Sequence, residues 1–283
     1  MDGVLVVNKK KGMTSFDVAR YVGKILGTRK IGHTGTLDPL AEGVLVLCLG
    51  EATKIAELIT AYDKEYIAGV KLGIETDTYD IQGKILKEVK VPNNLDIDSL
   101  LKSYKKTYYQ EVPIYSSVKV NGKKLYEYAR AGEEVILPKK EVSIYSIECL
   151  DKNYDTFTFK AHVSKGCYIR SIIHEIGLDL GVGACMNSLI RTKQGNISLK
   201  EAYTLEDIEK GNYKLYSIDE VVEFPQIIVD KEIEKKIRNG VLVENKWNIE
   251  DKVLFMNKNK ELLGIYYRDN NYLKTWKNFN FER

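Results

Sequence analysis

The sequence predicts an α+β fold: a large mixed β-sheet flanked by helices, carrying a hairpin-and-helix insertion and followed by a small β-rich module. Three observations predict it. Strand-length apolar runs are interspersed with helical spacings at 15–26 and 169–180. Hairpin signals occur at Asn121-Gly122 and at the polar turn Lys152-Asn153-Tyr154-Asp155. From Gln226 onward the pattern changes to short strands around one helix. With 283 residues there is room for one large domain and an appendage. The domains are expected at 1–224 and 225–283, with the insertion at about 112–139.

Taken in order, Gly3 to Asn8 reads as a short buried strand followed by a polar loop from Lys9 to Met13. Thr14-Ser15-Phe16-Asp17 resembles a capping box with Asp in place of Glu, and Val18, Tyr21, Val22, Ile25 and Leu26 follow at helical spacing. A helix is expected over 15–26, closed by Gly27. Val44 to Leu49 is apolar without alternation, which predicts a central strand covered on both faces. A short helix is expected over 51–60, a strand over 66–72, a capped turn over 75–83, a second strand over 84–91 and a helix over 96–106. The Asn-Gly hairpin at 118–126 leads into a helical turn at 126–131, and 141–149 pairs with 156–163. Ile169, Ile172, Ile173, Ile176 and Leu180 then mark a buried helical face, with Arg170 in its first turn. A strand pair over 187–199 precedes a linker ending near Phe224-Pro225. The tail holds a helix at 231–238 and strands at 252–256, 262–267 and 273–276. Its roughly 58 residues fold alone only marginally, so it is expected to lean on the main body.

Composition narrows the function classes. No apolar run is long enough to span a bilayer and no N-terminal signal pattern is present, so a cytoplasmic protein is expected. Cys48, Cys149, Cys167 and Cys185 lie far apart without a C-x-x-C pair, which supports neither a zinc site nor a disulfide framework. The net charge is only +3, yet lysines and arginines cluster at 9–11, 29–30, 105–106, 119–124 and 139–140. Clusters within a balanced total suggest a basic face, which suits a phosphate-bearing partner, although charge runs are more often plain solvated surface.

The chemistry points to the loop Gly32-His33-Thr34-Gly35-Thr36-Leu37-Asp38-Pro39-Leu40-Ala41-Glu42-Gly43. Pro39 biases Asp38 toward extended backbone and the glycines permit tight turns, so a lone acid is set at a fixed point at the mouth of the core. Read locally, it serves equally as a turn residue capping backbone N–H groups. Arg170 at a helix N-terminus is opposed by the helix dipole and calls for an anion, unless it snorkels past the apolar stripe into water. Lysines and tyrosines interleave at 118–128, as a nucleic-acid clamp would use them, and as an ordinary surface hairpin would too.

Six ordered blocks resemble the TruB family of tRNA pseudouridine synthases over almost the whole chain: 3–15 (GVLVVNKKKGMTS), 32–54 (GHTGTLDPLAEGVLVLCLGEATK), 64–83 (KEYIAGVKLGIETDTYDIQG), 112–132 (VPIYSSVKVNGKKLYEYARAG), 164–177 (SKGCYIRSIIHEIG) and 188–191 (SLIR). The resemblance implies conversion of the T-loop uridine at tRNA position fifty-five to pseudouridine, without cofactor or metal, by a stand-alone bacterial-type monomer. It implies a catalytic domain over 1–224 and a PUA-like RNA-binding domain over 225–283. By motif position Asp38 matches the catalytic aspartate, Tyr66 the base-stacking tyrosine and candidate proton acceptor, Arg170 the arginine paired with the aspartate, and Leu189 a pocket leucine. His33 matches a histidine that helps hold the tRNA loop open, while Tyr168 and Asp80 adjoin the Arg170 network. Lys9, Lys119, Lys123 and Lys124 are candidate RNA contacts. Lys10 departs from the family, whose N-K-P-x-G pattern expects proline there. The rival readings are a non-catalytic RNA-binding protein or tRNA-folding chaperone, and a hydrolase pairing Asp38 with Asp77 or Asp80.

Overall fold

In the computed structural model, which describes residues 1–280, the first apolar run forms β1 (Gly3–Lys9). Thr14 then opens α1 (Ser15–Ile25) by accepting the Asp17 N–H at 3.0 Å. After β2 (Ile31–His33) comes β3 (Glu42–Leu49), in which every residue from Gly43 onward is buried. The missing alternation has its expected cause: Leu45, Leu47 and Leu49 face one hydrophobic cluster, and Val44, Val46 and Cys48 face another.

The helix expected over 51–60 is broken. Gly50, at φ +55°, starts a 3₁₀ turn (Gly50–Ile55), and only α2 (Ala56–Thr60) is α-helical. Next come β4 (Lys64–Leu72) and a small hairpin of β5 (Ile74–Thr76) with β6 (Ile85–Glu88). Strand β6 is shorter than the pattern 84–91 predicted and fully exposed, because it pairs with β5 alone. Asp96 caps α3 (Ile97–Ser103), and β7 (Thr107–Glu111) leads to the insertion. There β8 (Lys119–Val120) and β9 (Lys123–Lys124) flank the Asn-Gly turn, and α4 (Leu125–Ala131) ends at Gly132 in the left-handed conformation. The long hairpin β10 (Lys139–Lys152) and β11 (Thr156–Val163) delivers the chain to α5 (Ile169–Asp179), β12 (Ala184–Gln194) and β13 (Ile197–Ser198).

The main sheet is nine-stranded, in the order β1-β3-β12-β4-β11-β10-β7, with β2 added to β3 and β13 to β12. Its one parallel pairing joins β12 to β3 through Ile190↔Glu42 and Arg191↔Gly43. One edge of β3 is held by β1; the other is shared between β2 at residues 47–49 and β12 at residues 42–43. The chain from Thr34 to Ala41 leaves the sheet at this fork. Helices α1 and α5 cover the Leu45 face.

After the short helices α6 (Leu205–Glu209) and α7 (Ile218–Val221), the C-terminal segment forms β14 (Gln226–Ile228), α8 (Lys231–Arg238), β15 (Val243–Glu244), β16 (Lys252–Met256), β17 (Leu262–Asp269) and β18 (Tyr272–Asn278). Its five strands make a separate sheet around Ile237, Phe255 and Tyr266. Leu254, Met256, Leu262 and Ile265 face outward from it, onto the Val44 side of the main sheet. An ion pair and a hydrogen bond reinforce this contact: Lys277 reaches Glu57 at 3.1 Å, and Glu51 accepts the Asn280 N–H at 2.9 Å. Among the described residues no helix is long and apolar enough to cross a membrane.

Candidate active site

Asp38 sits on a loop pinned from three sides. Ser15 at the start of α1 receives the Leu37 N–H at 2.8 Å, and Gly12 donates to the Pro39 carbonyl at 2.7 Å. Beneath the loop the Lys9 ammonium meets the carbonyls of Ala41 at 2.6 Å, Lys10 at 3.0 Å and Pro39 at 3.5 Å. Burial lowers the Lys9 amine to about 8, against the opposing pull of Glu42 and Asp38. Lys9 differs from the sequence expectation in its place: it ends β1 instead of opening a polar loop, and it is fully buried, propping the Asp38 loop from beneath.

The third side is β12. Arg191, 1% exposed, donates to the carbonyls of Val44 at 2.7 Å and Gly35 at 3.1 Å. Gln194 donates to the Thr34 carbonyl at 2.8 Å and the Ile59 carbonyl at 2.8 Å. Sequence reasoning gave neither residue a role. No local signal was available, since Arg191 and Gln194 stand beside Thr192 and Lys193 in the polar end of the strand.

Arg170 enters from the second residue of α5 and is 4% exposed. Its Nε lies 2.9 Å from Asp38 Oδ2 and its Nη2 3.2 Å from Oδ1, a two-toothed grip on the carboxylate. Two further N–H groups are used as well: Nη1 donates to the Thr78 carbonyl and Nη2 to the Tyr115 carbonyl, each at 3.0 Å. A guanidinium at a helix N-terminus is thus compensated by one anion and two backbone dipoles. The snorkelling alternative does not apply. The Asp38 side chain stays one-third exposed, so the carboxylate is held yet reachable.

Tyr66 and Ala68 on β4 lie opposite Arg191 and Leu189 on β12, and period-two alternation puts all four side chains on one face. Tyr66 and Leu189 are buried, at 8% and 6% exposure. Burial raises the Tyr66 phenol, the nearby Arg191 pulls it the other way, and Asp38 is close enough to push it up further. The hydroxyl therefore remains protonated at neutral pH. Tyr168 caps α5, its N–H donating to Gln110 Oε1 at 2.7 Å; burial raises its phenol, with Ser116, Arg170 and Asp38 as its electrostatic neighbours.

The other expected site residues are spread around this centre. Asp80 is buried but bonds Thr78 Oγ1 and the Gln82 N–H, each at 3.0 Å, so it shapes the turn that presents the Thr78 carbonyl and does not itself bond Arg170. His33 ends β2 half-buried; burial and then Arg191 lower its imidazole, and its Nδ1 has no partner among the described residues. Lys119 is exposed on the insertion hairpin, while Lys123 pairs with Glu133 at 2.6 Å and lies 4.6 Å from the Tyr128 ring. Lys124 lies 5.3 Å from the Tyr126 ring. Lys10, at the departure from the family pattern, pairs with Glu206 at 2.6 Å. Asp77 bonds the Tyr115 hydroxyl at 3.3 Å. Among the described residues no three His, Cys, Asp or Glu side chains converge to hold a metal ion.

Comparison with known proteins gives consistent matches. The N-terminal domain model of TruB family pseudouridylate synthases matches residues 23–169, and the tRNA pseudouridylate synthase B C-terminal domain model matches 170–227. The tRNA pseudouridine synthase B of Clostridium tetani is 42% identical over 274 residues, covering 95% of this chain and 93% of that protein. Its namesake in Fusobacterium nucleatum is 42% identical over 285 residues, covering 98% and 99%. Among solved structures, a chain of a Cbf5-Nop10-Gar1 complex superposes with TM-score 0.74 at 25% identity, covering 98% of this chain and 84% of that one. A chain of an H/ACA RNP bound to a substrate RNA has the same fold, with TM-score 0.74 at 24% identity.

Proposed function

Because the chain belongs to the TruB family of pseudouridylate synthases, we propose that it isomerises the T-loop uridine-55 of tRNA to pseudouridine, with Asp38 as the reacting carboxylate. The observation that carries the reading is the two-toothed Arg170–Asp38 pair, one-third open to solvent on the acid's side, beside the buried Tyr66 ring. An acid fixed at both oxygens yet accessible is arranged for chemistry more than for stability.

A uridine inside a folded RNA loop is out of reach, so it must first be everted, at an unstacking cost of a few kcal/mol. Tyr66, stacking as a neutral ring, and Leu189 recover part of that, since base stacking is worth about 1–3 kcal/mol. Asp38 acts as nucleophile or base while the N1–C1′ bond breaks. The freed base turns, C5 joins C1′, the C5 proton leaves and N1 gains one. Arg170 keeps the carboxylate aimed throughout. Atoms balance without a co-reactant, so the chemistry calls on no cofactor.

On this reading residues 1–224 are the catalytic domain and 225–283 a PUA-like RNA-binding domain, the last three residues lying outside those described. The protein works as a stand-alone cytoplasmic monomer. His33 helps hold the everted T loop, and the 112–139 insertion supplies Lys119, Lys123 and Lys124 to the T-arm phosphates. The test uses unmodified tRNA carrying tritium at C5 of uridine. Tritium release without free uracil is the expected result; free uracil would make the protein a hydrolase, and no release with tight binding would make it a chaperone.

A further inference from the structure

We propose that Tyr79 and His174 are positioning residues for this reaction: their stacked rings fix the Thr78 carbonyl against Arg170 and thereby the aim of Asp38. The inference rests on the reading of Asp38 and Arg170 given above.

Tyr79 holds φ at +63°, a left-handed conformation unfavourable for a bulky side chain. Such a residue persists only where its surroundings over-determine it. Here they do. Its ring lies parallel to the His174 imidazole, centroids 3.9 Å apart and planes 8° from parallel. Its carbonyl accepts the Met186 N–H at 2.9 Å, and the Ile81 N–H donates back to the Met186 carbonyl at 2.8 Å.

His174 and Arg170 are four residues apart on α5, one above the other on the same face. Adjacent side chains of one helix therefore grip adjacent residues of one turn: Arg170 takes the Thr78 carbonyl and His174 the Tyr79 ring. The peptide between Thr78 and Tyr79 carries that carbonyl. If the stack is lost, Tyr79 relaxes toward negative φ, the peptide rotates, and Arg170 loses one of its two backbone acceptors. Facing His174 are Glu75, with Oε1 4.0 Å from Nδ1, and Glu111. Burial nevertheless lowers the imidazole, which favours a neutral ring for stacking. Asp80 braces the turn from within.

The experiment measures single-turnover tritium release and tRNA Kd for the full chain. His174→Ala is expected to slow the chemical step at least tenfold, displaced catalytic groups costing up to on the order of a hundredfold, with Kd within about twofold of wild type. His174→Phe, which keeps a flat ring, should return to within about threefold of wild type. Should His174→Ala fail to fold, Tyr79→Ala, which removes the ring and with it the contact that holds the left-handed backbone, must show the same loss. An unchanged rate in His174→Ala, a loss confined to Kd, or a Phe variant no better than Ala would each overturn the inference. Absence of turnover in the wild type would instead overturn the underlying reading.

Discussion

Arg170 and Asp38, separated by 132 positions, meet with Nε 2.9 Å and Nη2 3.2 Å from opposite oxygens of one carboxylate. The fork geometry matters as much as the charge. A lysine places one point charge where arginine places two parallel donors and two further bonds to the Thr78 and Tyr115 carbonyls. Arg170→Lys is therefore expected to lower single-turnover rate at least about tenfold while tRNA affinity stays near wild type. Asp38→Asn, nearly isosteric, is expected to abolish turnover with binding intact. Weakened binding at unchanged rate would move Arg170 to the phosphate-contacting class.

The insertion lysines are expected to act on binding alone. Replacing Lys119, Lys123 and Lys124 together by alanine should flatten the dependence of log Kd on log salt by up to roughly one unit per phosphate contact removed. The change should fall short of three because Lys123 already pairs with Glu133. Titrations of tRNA binding across a salt series measure it, and an unaltered slope removes the hairpin from the interface.

Gly43 is a packing requirement. It holds φ at +97°, and a Cβ built there runs into the backbone carbonyl of Arg191. Gly43→Ala combines backbone strain with a clash that the parallel β3–β12 pairing cannot relieve, for a destabilisation on the order of 3 kcal/mol. Denaturant unfolding reads it directly. A loss below about half of that would mean that the two strands part easily.

Glu51 should give the docked C-terminal module a pH signature. Burial alone would raise its carboxyl, but the Asn280 N–H and the Lys30 and Lys54 ammonium groups outweigh burial and bring it down to about 2 from an ordinary 4.5. A folded value below the unfolded one means the contribution is complete above about 4.5 and is lost as pH falls toward 2. The gap in Tm between wild type and Glu51→Gln should therefore be wide near neutral pH and close over that window. A gap constant with pH assigns the residue a packing role only.

What the sequence made legible was what local patterns encode. The absence of alternation in 44–49 announced a strand covered twice, while the Arg170 position on an apolar helix left a buried counter-charge and a snorkelling side chain equally open until the structure chose the first. What it hid were contacts made by distant backbone. Lys9, next to two further lysines, looked like loop surface because the carbonyls it serves belong to a turn some thirty residues on. Arg191 gave no local sign of its task, since the carbonyls of Gly35 and Val44 reach it only at the fork between β2 and β12. The Tyr79–His174 stack was equally invisible, because it depends on α5 crossing the turn after β5.

The position of β12 also governs when activity can begin during biosynthesis. This strand ends at Gln194 of 283 residues; among the described residues it lies between β4 and β3 in the sheet, and its Arg191 is one of the anchors of the loop bearing the acid. A nascent polypeptide must therefore emerge past roughly two-thirds of its length before the sheet can close, because pairings this distant in sequence must await their partner. A translation product ending short of β12 lacks the strand between β4 and β3 and the Arg191 contact to the loop bearing the acid, so it is expected to show no turnover.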